Sequence, residues 1–114
     1  MSTASSDSPQ VEQLQATELK ALLDSGEPLH LIDVRTPEER DLAYIEGSRL
    51  LDRAYGDYIL GLPKDTRLVF QCHHGIRSQA AAEYCVWQGF TRVYNLVGGI
   101  DAWSAIVDPS VPRY

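Results

Sequence analysis

The chain has 114 residues, 44% of them hydrophobic and 23% charged, with a formal net charge of −6. That length fits one domain, and a core of that size folds without disulfides or metal. The acidic balance argues against a nucleic-acid partner, because such a surface repels phosphate backbones, and no apolar run approaches the roughly 20 residues that cross a bilayer.

Residues 1–10 are rich in Ser and have neither a basic start nor an apolar stretch. They read as a disordered lead-in rather than a secretory signal, leaving one domain over 11–114 and a cytoplasmic location as the expectation. A first helix fits 16–25, where Leu19, Leu22 and Leu23 share one face and Gly26 stops it. Residues 30–34 follow as a buried strand. Thr36 then caps a helix with Pro37 in its first position and Glu38 and Glu39 in its first turn, three agreeing start signals. Between Gly47 and Pro63 the pattern is weaker, with a short strand around Leu50 and a helical turn over 55–60. Residues 67–71 form a second clear strand that runs directly into Cys72. A helix fits 77–88, ended by Gly89, and 92–96 form a third strand. Gly98 and Gly99 open a short helix through Trp103. The segment 108–114 holds Pro109 and Pro112 and is not helical. Strands alternating with helices imply an α/β fold with a parallel sheet covered on both faces. Ligands bind such sheets beyond the C-terminal ends of the strands, which is where Cys72 falls.

Chemistry concentrates in Cys72-His73-His74-Gly75-Ile76-Arg77-Ser78. A tight strand-to-helix loop turns successive backbone N–H groups inward, and the following helix N-terminus adds positive potential. Gly75 supplies the backbone freedom that such a turn needs. A cysteine at the base of this cradle has its thiolate favoured, with Arg77 and any protonated histidine adding to the effect. Four residues separate Cys72 from Arg77, one fewer than in the phosphate-binding loop of cysteine phosphatases. The smaller cradle suits a single extra sulfur atom. Cys85 lies mid-helix beside Ala81 and Tyr84 and reads as a core residue. A disulfide between Cys72 and Cys85 is not expected in a chain without an export signal. Neighbouring residues seldom converge on one ion, so His73 and His74 read as lining the pocket mouth, and no metal or organic cofactor is expected.

Four ordered motifs resemble the single-domain rhodanese family. Leu31-Ile32-Asp33-Val34-Arg35-Thr36-Pro37-Glu38-Glu39 is similar to its first signature, and Ile45-Glu46-Gly47-Ser48 to its second. The Cys72 loop resembles its active loop, and Leu96-Val97-Gly98-Gly99-Ile100-Asp101-Ala102-Trp103 its closing signature. Tyr44, Glu46 and Ser48 depart from the family pattern outside the cradle. The resemblance implies a three-layer fold, a mainly parallel sheet of about five strands flanked by helices. It implies that Cys72 takes sulfane sulfur from a small anionic donor such as thiosulfate. The persulfide then passes that sulfur to cyanide, a thiol or a sulfur-carrier protein. It also implies that His73, His74, Gly75, Ile76, Arg77 and Ser78 surround the sulfur, and that Asp33 and Arg35 give structural support. The ending over 108–114 is similar to that of rhodanese domains fused to enzymes that activate sulfur carriers. Two other readings of the residues stand beside this one. They are a small cysteine phosphatase or arsenate reductase, and a noncatalytic thiol-sensing module.

Overall fold

The structure, a computed structural model, describes residues 10–114. Apart from Gln10, the expected lead-in lies outside the described residues. Five strands alternate with five helices. They are β1 (Glu12–Leu14), α1 (Ala16–Ser25), β2 (His30–Asp33), α2 (Pro37–Leu42), β3 (Ser48–Leu50), α3 (Arg53–Leu60), β4 (Leu68–Gln71), α4 (Ile76–Trp87), β5 (Val93–Leu96) and α5 (Gly99–Ile106). The strands form one sheet in the order β1-β5-β4-β2-β3, and every pairing is parallel. The expected α/β architecture and the strand number implied by the resemblance are both present.

Local signals explain most boundaries. Thr36 Oγ1 accepts a bond from the Glu39 amide at 3.1 Å, and Glu39 reaches back to the Thr36 amide at 3.1 Å, closing a capping box in front of Pro37. Asp52 caps α3 by accepting from the Tyr55 amide at 2.8 Å, which starts that helix earlier than the apolar pattern suggests. Helix α5 continues past Trp103 to Ile106. The strand β1 has no counterpart in the sequence reading.

Side-chain alternation along the strands builds two cores. Leu31, Val69 and Leu96 face Leu19 of α1 and Ile100 and Trp103 of α5. Ile32, Phe70 and Val93 face Tyr55 and Ile59 of α3 and Ala82 and Cys85 of α4. All four residues of β4 are buried, as a central strand covered on both faces requires. Because the strands are parallel, the segments after β2, β4 and β5 all emerge at one end of the sheet. That end gathers Arg35, the Cys72 loop and Gly98-Gly99.

Candidate active site

Cys72 follows the last residue of β4, and only 1% of its surface is exposed. Its neighbours are polar. Sγ accepts from the Gly75 amide at 3.1 Å, the Ser78 amide at 3.4 Å and the Ser78 hydroxyl at 3.3 Å. The loop sorts its backbone groups. The carbonyls of Cys72 and His73 turn toward α5 and accept from the Ile100 amide at 2.8 Å and the Asp101 amide at 3.2 Å. The amides beyond them turn toward sulfur. Two glycines permit this arrangement. Gly75 has φ 96°, and Gly99 has φ 59° and lies so close to the loop that a Cβ there would collide with the Cys72 carbonyl oxygen. Burial works to raise the Cys72 pKa. The Ser78 hydroxyl and the amides of Ser78, Gly75 and His74 outweigh it and hold the thiol below its ordinary value.

A second layer steadies the cup. Asn95 of β5 donates from Nδ2 to the Gly75 carbonyl at 3.1 Å and to Gln13 Oε1 at 3.1 Å, which fixes its amide orientation. Its Oδ1 lies 2.5 Å from Ser78 Oγ. The Ser78 hydroxyl carries one proton and touches both Asn95 Oδ1 and Cys72 Sγ. It therefore donates to Asn95 beside a thiol and is free to turn that proton to a thiolate. Gln13 stands opposite Asn95 in the β1–β5 register, so the unexpected edge strand buttresses the site.

The other loop side chains lie differently from the expectation. Arg77 acts on the sulfur through its charge, without a hydrogen bond to it. Its guanidinium makes a two-bond pair with Glu39, at 2.6 and 2.9 Å, because α2 carries that carboxylate to the start of α4. Arg77 in turn holds the Glu39 carboxyl well below the usual carboxylate range. Ile76 projects into solvent at 79% exposure, so only its backbone belongs to the loop. His73 and His74 contact Sγ with neither ring. They stack on each other with centroids 3.9 Å apart, and His73 stacks on Tyr114 at 3.9 Å. His74 Nε2 lies 3.8 Å from Asp101 Oδ2. The two neighbouring rings thus converge where the sequence suggested divergence, because the loop lays both in one stack that ends on Tyr114.

Asp33 and Arg35 are buried together. Arg35 donates from Nε and Nη2 to the two Asp33 oxygens, each at 2.9 Å, and from Nη2 to the Ala43 carbonyl at 2.6 Å. Its Nη1 donates to the Tyr114 hydroxyl at 2.9 Å, and that hydroxyl donates to Glu39 Oε2 at 2.8 Å. One network therefore runs from the end of β2 to the stack beside Cys72. Asn95, Gln13, Glu39 and Tyr114 are the residues that sequence reasoning missed. A polar Asn95 inside the apolar strand 92–96 was the one readable sign.

The sequence and fold are similar to those of known proteins. Residues 15–106 match the family model described as Rhodanese-like domain. The probable adenylyltransferase/sulfurtransferase MoeZ of Mycobacterium tuberculosis is 38% identical over 100 residues, covering 85% of this chain and 26% of that protein. The chain thus spans about a quarter of the length of that relative. Thiosulfate sulfurtransferase GlpE of Pseudomonas aeruginosa is 33% identical over 96 residues, covering 83% of this chain and 86% of that one. The solved structure of a rhodanese-like domain protein from Staphylococcus aureus superposes with a TM-score of 0.72 at 28% identity, covering 91% of this chain and 99% of that one.

Proposed function

Because the chain belongs to the rhodanese-like domain family, we propose that it is a sulfurtransferase in which Cys72 carries sulfane sulfur as a persulfide. The observation behind this reading is the set of three hydrogen bonds, 3.1 to 3.4 Å long, that Gly75 and Ser78 direct at one buried sulfur. A sulfur atom so surrounded is favoured as an anion, and the same donors suit the anionic outer sulfur of a persulfide.

The cycle has two halves. The Cys72 thiolate attacks the outer sulfur of a small anionic donor such as thiosulfate. An S–S bond forms to Cys72, and the donor's own S–S bond breaks, so that sulfite departs with the electron pair. An acceptor thiolate or cyanide then attacks the terminal sulfur and returns Cys72 to its thiolate. Charge stabilisation falls to the loop amides and the Ser78 hydroxyl. Arg77, neutralised by Glu39, contributes at the flank of the loop. GlpE, which matches over most of its length, supports a thiosulfate donor, and MoeZ supports a sulfur-carrier acceptor. Neither cysteine is paired in a disulfide. Among the described residues, no helix is long and apolar enough to cross a membrane.

Intact mass spectrometry after thiosulfate treatment and removal of excess reagent tests the mechanism. The wild-type chain gains one sulfur atom, Cys72→Ser gains none, and cyanide strips the sulfur from the wild type. Equal uptake by wild type and Cys72→Ser overturns the assignment. Turnover of an aryl phosphate without sulfur uptake would make the chain a phosphatase instead.

A further inference from the structure

We propose that His73, His74 and Asp101 form a binding site for a divalent transition-metal ion of the zinc class, joining the Cys72 loop to the first turn of α5. One ligand atom from each of the three side chains lies within 4.8 Å of the others. Two imidazoles and a carboxylate are the donor set that zinc accepts, with one position left for water. Ligand atoms around a tetrahedral zinc stand about 3.3 Å apart, given bonds of about 2.0–2.1 Å, so the cluster needs only a small closure.

The surroundings of the three side chains prepare this closure. His73 is the fixed ligand. Its ring is held flat against Tyr114, with 10° between planes, and its Nε2 is buried with no hydrogen-bond partner. An orphaned ring nitrogen of this kind is open to an ion or a water. Asp101 is held by Arg113, which donates to both carboxylate oxygens at 2.9 and 3.0 Å. Such outer partners orient metal ligands and leave lone pairs available. His74 is the adjustable ligand. Its side chain is 59% exposed, and its Nε2 stands 3.8 Å from Asp101 Oδ2, too far for a hydrogen bond. A modest swing of this ring opens the 28° tilt against His73 and brings the third nitrogen to the ion.

Equilibrium dialysis against zinc chloride at neutral pH, in a Cys72→Ser background, separates this site from zinc capture by the thiolate. One zinc per chain is expected, with affinity falling at least tenfold in His74→Ala and in Asp101→Asn and unchanged in His30→Ala. Because binding to the folded state raises thermal stability, zinc is also expected to raise the melting temperature of the Cys72→Ser chain. In the two ligand variants, whose metal-free melts report that they fold, it should leave the melting temperature in place. Stoichiometric uptake that survives both substitutions overturns the site, and so does failure of the Cys72→Ser chain to take up one equivalent. Neither result bears on persulfide formation, which the mass measurement decides separately.

Discussion

Cys72 and Cys85 are both buried, at 1% and 5% exposure, and both belong to the segment running from β4 through α4. Their acidities move in opposite directions. Burial among apolar side chains pushes the Cys85 thiol up to about 11. It sits among Phe70, Ala82 and Phe90, and none of the described residues donates a hydrogen bond to its sulfur. Cys72 is also desolvated, yet the Ser78 hydroxyl and the loop amides bring it below its ordinary value. The difference teaches that depth does not decide reactivity. What decides it is the number of donors aimed at the sulfur, and that number is set by backbone direction in the loop.

The sharpest way to break this comparison is selective alkylation. At neutral pH, iodoacetamide should modify Cys72 at least about 10²-fold faster than Cys85, because a thiol with a pKa near 11 is about 10⁻⁴ ionised and one below the ordinary thiol value is at least about 10⁻² ionised. Peptide mapping against time reads both rates from one sample, and comparable labelling of the two would remove the distinction. Ser78→Ala is the next largest change. It deletes one donor to the thiolate, so the midpoint of the Cys72 alkylation–pH profile should move up, and alkylation at neutral pH should slow by up to about tenfold, as loss of one hydrogen bond to a charged group allows. The sign follows from the state that is bonded: losing a donor to the charged form favours the proton. Above both midpoints the rates should converge, and Cys85 should not change. A profile that stays in place would shift the weight to the amides alone. Asn95→Leu tests the second layer. It leaves the Gly75 carbonyl without its side-chain donor, at a cost of about 1–3 kcal/mol in stability. Urea denaturation should show that loss together with an upward midpoint for Cys72 smaller than that of Ser78→Ala. Lost stability with no change of midpoint would make Asn95 a packing residue only.

Much of the scaffold was legible because it rests on short-range rules. Strands β2, β4 and β5 are apolar runs, α2 carries its cap and proline, and Cys72 sits where a strand meets a glycine-containing loop. The unread features depend on contacts far apart in sequence. Strand β1 has three residues, of which only Leu14 is buried, so it shows no alternation long enough to detect. Arg77 is an ordinary helix-start arginine until α2 brings Glu39 beside it, 38 positions away in the chain. Tyr114 lies 79 positions from its hydrogen-bond partner Arg35, and no local pattern announces it. The stacking of His73 and His74 has the same origin, because its outer face is supplied by that tyrosine.

The grip of Ile100 and Asp101 on the Cys72 and His73 carbonyls has a consequence for synthesis. A ribosome delivers 72–78 before 95–101, and until the later segment docks, nothing holds those two peptide groups in their turned positions. A nascent thiol is then as acidic as that of any unstructured cysteine. Sulfur chemistry becomes available only once β5 and α5 have closed over the sheet, so heightened nucleophilicity arrives together with the finished tertiary structure.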